Sequence, residues 1–119
     1  MAWEVSGSRP IYIQIGEIIL TKILSGEFAS GSKLPSVREL SAMAGVNPNT
    51  LQKALGDLEG RGIIITRSTS GKFITEDLDA ILREKNQLAN SYIAEYLRRM
   101  ADLGFDRQEA ERYFTENAQ

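Results

Sequence analysis

Asn47, Asn49, Thr50, Gln52 and Lys53 fall within seven residues, all of them able to hydrogen-bond and none negatively charged. A carboxamide can pair with the N6/N7 edge of adenine, and a lysine can reach a guanine edge or a phosphate. Arg38 lies a short way upstream, and its planar guanidinium suits bidentate contact with a phosphate or with guanine O6/N7. The chemistry open to such a set is recognition of duplex DNA, in which no bond is made or broken. Catalysis has little to work with. The chain has no histidine and no cysteine, which removes the commonest general base and metal ligand together with the thiolate nucleophile. No enzymatic activity, metal site or cofactor is expected.

These side chains need a helix start to present them, and the run 36–58 supplies two. Ser36 followed by Glu39 is a capping box, in which hydroxyl and carboxylate each satisfy a backbone donor left orphaned by the first turn. Leu40 and Met43 give this short helix an apolar face, and Ala44-Gly45 ends it, because glycine accepts the left-handed conformation. Val46 and Leu51 then flank an Asn47 cap as a hydrophobic staple, with Pro48 at the first helical position. Leu51, Ala54, Leu55 and Leu58 form one apolar stripe, and the polar set occupies the opposite face. Helix, glycine turn and polar-tipped second helix describe a DNA-reading helix-turn-helix. Arg38 as a plain surface residue, or paired with Glu39 or Glu59, and Lys53 as a solvated helix residue, stay open.

The remaining chain brackets this motif. Ser8-Arg9-Pro10 opens a first helix whose stripe is Ile11, Ile15, Ile18, Ile19 and Ile23, and Gly26 stops it. Residues 27–33 read as a loop that pins Phe28 and Leu34 into the core, and Pro35 holds Leu34 extended. After Leu58, the glycines of Glu59-Gly60-Arg61-Gly62 end the second helix of the motif. Ile63-Ile64-Ile65-Thr66 reads as a strand, Ser68-Thr69-Ser70-Gly71 as a turn and Lys72-Phe73-Ile74-Thr75 as the returning strand. Such a hairpin, with Arg67 and Lys72 at its base, is the wing of a winged helix-turn-helix. A hairpin that merely covers the core is the alternative.

From Asp77 the period is helical again for about seven turns, with Leu78, Leu82, Ala89, Ile93, Tyr96, Met100 and Leu103 on one stripe, widened by Tyr92 and Leu97. Gly104 ends that helix. Asp106 and Glu109 form a second capping box, Phe105 stands at a staple position, and Ala110, Tyr113 and Phe114 mark a final short helix. So much apolar surface beside a small domain implies a second copy of the chain. Closure of the last helix over the stripe within one chain is the alternative.

The chain has 119 residues, 42% apolar and 25% charged, with a net charge of −2. That fits one globular domain plus an appendage. The charge is divided unevenly. Residues 1–75 carry eight Lys/Arg against six acids, and residues 76–119 carry six against ten. The basic half contains the helix-turn-helix, and phosphate attraction follows the local patch rather than the total. No run reaches the length of a membrane span and no signal peptide is visible, so a cytoplasmic location is expected.

Several motifs resemble the GntR family of bacterial transcription regulators: P-I-Y-x-Q-I at 10–15, I-L-S-G-x-F-x-x-G-S-K-L-P-S-V-R-E-L at 23–40 and V-N-P-N-T-L-Q-K-A-L-x-x-L-E-x-x-G-I-I at 46–64. The two-helix tail is similar to the YtrA subfamily. The resemblance implies a mainly α fold with a β-hairpin wing, a winged helix-turn-helix over 1–76 and a helical dimerisation segment over 77–119. It also implies a homodimeric, sequence-specific regulator, of repressor type, on a pseudo-palindromic operator. The expected DNA-contact set is Arg9, Lys33, Ser36, Arg38, Asn47, Asn49, Thr50, Gln52, Lys53, Arg67, Gly71 and Lys72. The expected dimer contacts, on the apolar stripe of these helices, are Leu82, Ala89, Tyr92, Ile93, Tyr96, Leu97, Met100, Leu103, Tyr113 and Phe114. Two departures stand out: Pro48 replaces an arginine common in relatives, and the wing motif G-x-G-x-F-V keeps only Gly71 of its two glycines. A winged helix used for protein–protein assembly is the alternative function. A small-molecule effector is left open, since no residue set demands one.

Overall fold

The computed structural model of the chain describes residues 2–118, which divide into two compact units, Met1–Leu82 and Arg83–Gln119. The first unit begins with α1 (Ile11–Leu24), which follows an extended Pro10 and ends before Gly26, at φ 87°. Its buried face is Gln14, Ile15, Ile19, Leu20 and Ile23. That face is rotated from the expected isoleucine stripe: Ile11 is exposed, while Leu20 and the polar Gln14 are inside. The rotation has a cause in the preceding strand of chain. Gln14 Oε1 accepts from the Ser6 N–H at 2.7 Å, and its Nε2 donates to the carbonyls of Ser6 and Arg9 at 2.8 Å each. A buried amide so fully bonded carries no desolvation penalty.

Helices α2 (Val37–Ala44) and α3 (Pro48–Gly60) follow, each capped as its sequence requires. Both bonds of the Ser36–Glu39 capping box form at 3.0 Å. Gly45 turns the chain at φ 74°, and a Cβ there would lie 2.7 Å from that of Ala2. Asn47 Oδ1 accepts from the Thr50 N–H at 2.9 Å, with Pro48 at the first helical position. Leu40 and Ala44 of α2 are buried, whereas Met43 is exposed, so the apolar face of α2 is narrower than the sequence suggests. Leu51, Ala54, Leu55 and Leu58 of α3 close on Ile15, Ile19 and Ile23 in one core. Burying each such Leu or Ile is worth about 1.5–3 kcal/mol, which outweighs the weak intrinsic stability of helices this short.

Gly62, at φ 75°, redirects the chain into the antiparallel hairpin of β1 (Ile64–Arg67) and β2 (Gly71–Ile74). Each strand lies one residue away from its expected bounds, β1 later and β2 earlier. Arg67 pairs with Gly71, and Lys72 with Thr66. Both cations therefore flank the tip rather than the base. The loop at 31–34 is also not free-standing: Ser32 accepts from Ile74 N–H at 2.9 Å and Leu34 N–H donates to Lys72 O at 2.8 Å. Lys33 thereby bridges Phe73 and covers the outer edge of β2, satisfying backbone groups that an open edge would leave bare.

Helix α4 (Leu78–Asp102) starts in the first unit, where Ala80 and Ile81 pack against the core. In the second unit, α4 is followed by Gly104 at φ 95° and α5 (Arg107–Asn117), capped by the Asp106–Glu109 box. Tyr96 Oη donates to Ala110 O at 2.8 Å, Tyr96 meets Phe114 edge-on, and Phe105 meets Tyr113 likewise. α5 thus folds back over part of the stripe. Met100 and Ala110 are buried, Tyr96 and Leu97 are half-buried, and Leu82, Ala89, Tyr92, Ile93, Leu103, Tyr113 and Phe114 stay exposed. No helix among the described residues is long and apolar enough to cross a membrane.

Candidate nucleic-acid interface

The cap at Asn47 and the stripe beneath α3 decide which side chains that helix presents. With Leu51, Ala54, Leu55 and Leu58 in the core, Asn49, Gln52 and Lys53 are exposed and Thr50 is half-buried. The side chain of Asn47 is partly committed, since its carbonyl holds the helix start. Lys53 leans over Tyr12 of α1, its Nζ 4.2 Å from the ring centroid. A cation held on an aromatic face has fewer rotamers to lose when it binds. The first-turn N–H groups of α3 add a partial positive charge at this end of the helix.

The cations of the first unit sort into two groups. Arg9 binds Glu17 bidentately at 2.7 and 2.9 Å, Lys22 binds Glu27, Arg61 binds Asp57 and Lys72 binds Glu59. The hydrogen bond and then the charge of Glu17 raise the Arg9 pKa above its ordinary value. Among the described residues, Lys33, Arg38, Lys53 and Arg67 take part in no salt bridge. All four are exposed. They lie on the α2 start, the α3 face and the two sides of the wing, where the sequence expects DNA. The alternative pairing of Arg38 is not formed, because both acids are engaged elsewhere: Glu39 with Ser36, Glu59 with Lys72 and Thr66. Ser36 itself has its hydroxyl committed to the cap of α2.

At the wing, residues 68–70 form the exposed tip, with Ser68 at φ 28° and the Ser70 N–H donating to Arg67 O at 2.7 Å. Arg67 stacks over Phe73 at 4.8 Å from the ring centroid. Gly71, at φ 108°, holds a conformation that L side chains rarely adopt, and Lys33 Cε lies 2.9 Å from where its Cβ would stand. The residue whose role sequence reasoning missed is Glu59, read there as part of the helix end and as one possible partner of Arg38. A signal existed: it stands seven residues after Gln52, hence on the same helical face.

Residues 11–74 match the family described as "Bacterial regulatory proteins, gntR family". The chain is 44% identical over 77 residues to the HTH-type transcriptional repressor YtrA of Bacillus subtilis (strain 168), a match covering 65% of this chain and 59% of YtrA. It superposes on a GntR family transcriptional regulator from Listeria monocytogenes with a TM-score of 0.87 and 36% identity, over 94% of this chain and 98% of the other. The DNA-binding domain of AraR in complex with operator ORX1 is similar over 63% of this chain and 99% of its own, with a TM-score of 0.54 and 29% identity. With a fold and a domain of this kind, the chain belongs to the GntR family of bacterial regulatory proteins and is a DNA-binding transcriptional regulator.

Proposed function

We propose that the protein is a homodimeric repressor that places α3 of each copy in successive major grooves of a pseudo-palindromic operator, about one helical turn apart or slightly more. The observation that carries this reading is the sorting of cations, in which Lys33, Arg38, Lys53 and Arg67 form no salt bridge among the described residues. Unpaired cations are the ones able to release counterions from DNA, so binding falls steeply with salt. Specificity comes from Asn49, Thr50 and Gln52, with the amide of Asn47 alongside. Arg9 contributes only by exchanging Glu17 for a phosphate. We assign residues 1–76 to DNA binding and residues 77–119 to dimerisation. The apolar face around Tyr92, Ile93 and Phe114, which borders a groove of about 530 Å3, supports that division. The repressor role named for YtrA supports the sign of regulation, and the reading places the protein in the cytoplasm with its DNA.

The test is selection of bound sequences from random duplex DNA, followed by affinities at two salt concentrations. The expected result is a two-fold symmetric motif whose affinity falls by orders of magnitude with added salt. A chain that self-associates yet enriches no sequence, with no salt-sensitive binding, would point instead to a winged-helix assembly module.

A further inference from the structure

Glu59 is a carboxylate on the face of α3 that also carries Gln52, and Gln52, Glu59 and Lys72 line one surface groove of about 350 Å3. Left alone, its charge would oppose the phosphates that the same face approaches. In the structure it is clasped from the wing. Lys72 Nζ donates to Glu59 Oε1 at 2.6 Å and to Thr66 Oγ1 at 3.1 Å, and Thr66 Oγ1 donates to Glu59 Oε2 at 3.0 Å. The three residues come from α3, β1 and β2, and Thr66 and Lys72 are cross-strand partners. The two charged side chains are only 32% and 26% exposed, unlike Arg67 and Lys33 on either side.

We propose that Lys72 is a positioning residue of the wing rather than a phosphate contact. With Thr66 it grips Glu59, which sets the hairpin against the recognition helix and cancels a carboxylate on its DNA-facing side. Arg67 and Lys33 are then the wing residues that meet phosphate. This assignment rests on the DNA-binding reading above and departs from the role that resemblance alone implies for Lys72.

A charge-neutral excision separates the two roles. E59Q/K72M removes both charges, so the net charge of the interface is unchanged while the clasp is lost. Operator affinity of the full-length chain is measured over a series of salt concentrations, with wild type and R67M alongside. Losing a phosphate contact lowers the slope of log affinity against log salt by about 0.9, and R67M is expected to show that drop. E59Q/K72M is expected to keep the wild-type slope while binding about threefold to fivefold more weakly at every salt, the scale of a hydrogen-bonded surface pair. The exchanged pair E59K/K72E re-forms the clasp and is expected to recover most of the loss. A slope reduced as in R67M, an affinity unchanged by E59Q/K72M, or a further loss in E59K/K72E overturns the assignment. A wild-type chain that binds no duplex overturns the function itself, which these variants leave distinguishable.

Discussion

Asn47 offers a single side chain at which the helix cap and the proposed DNA contact can be separated by substitution. Its Oδ1 accepts from the Thr50 N–H at 2.9 Å, and Asn47→Ala removes this cap, at a cost of about 1 kcal/mol. In a unit of 82 residues that corresponds to a fall of about 4–8 °C in Tm. Asn47→Asp keeps the acceptor and puts a negative charge at the positive end of α3, so its stability should match the wild type to within about 0.5 kcal/mol. Binding should separate the variants the other way. A new carboxylate about 6 Å from a phosphate, at an effective dielectric of about 40, costs about 1.4 kcal/mol, or tenfold in affinity. Asn47→Asp should therefore bind operator about tenfold more weakly at low salt, with the deficit shrinking as salt rises. Thermal unfolding by circular dichroism and fluorescence anisotropy on labelled operator measure both quantities. Wild-type binding by Asn47→Asp would refute the placement of this helix end against DNA. Destabilisation equal to that of Asn47→Ala would refute the cap.

Arg38 is exposed and has no salt-bridge partner among the described residues, so Arg38→Ala should leave Tm within about 1 °C of wild type while lowering operator affinity by about 1–3 kcal/mol; equal affinity at matched salt would remove it from the interface. Leu55 is fully buried at the centre of the core, and Leu55→Ala should cost about 2–5 kcal/mol in urea unfolding. Hydrogen bonds from the backbone and then the side chain of Ser36 hold the Glu39 carboxyl below its ordinary range, with the charge of Lys33 adding to the effect. A lowered folded pKa means stability that is present above the unfolded value and is lost as pH falls through the folded one. Glu39→Gln should flatten that acid limb in urea midpoints measured against pH, and an unchanged limb would contradict the capping box. Ile93 is 56% exposed, so Ile93→Asp should preserve helicity yet shift sedimentation to the monomer; a persistent dimer would exclude this face.

Much of the fold was legible because its signals are local. The two capping boxes, the Asn47-Pro48 start and the left-handed glycines at 45 and 104 each act within a few residues of chain, and each stands where the sequence puts it. The exposed face of α3 was legible for a similar reason, since a period of 3.6 places Leu51, Ala54, Leu55 and Leu58 opposite the polar set. Boundaries were less so. The strands of the wing moved by a residue, because cross-strand pairing rather than β-propensity sets their ends.

Tertiary structure decided what no local rule encodes. The choice of partner for each cation depends on which acids folding brings near. Arg9 meets Glu17 only because the chain before α1 lies back along that helix, and Lys72 meets Glu59 thirteen residues away only because the wing folds onto α3. Pairing of 31–34 with β2 and closure of α5 over Tyr96 are likewise non-local. The sequence by itself determined where the helices begin, which face of α3 is polar and that the basic half contains the helix-turn-helix, because those follow from backbone capping, helical period and a count of charges. Which of those charges remain available to DNA was decided by the fold, because Coulomb attraction acts through space rather than along the chain.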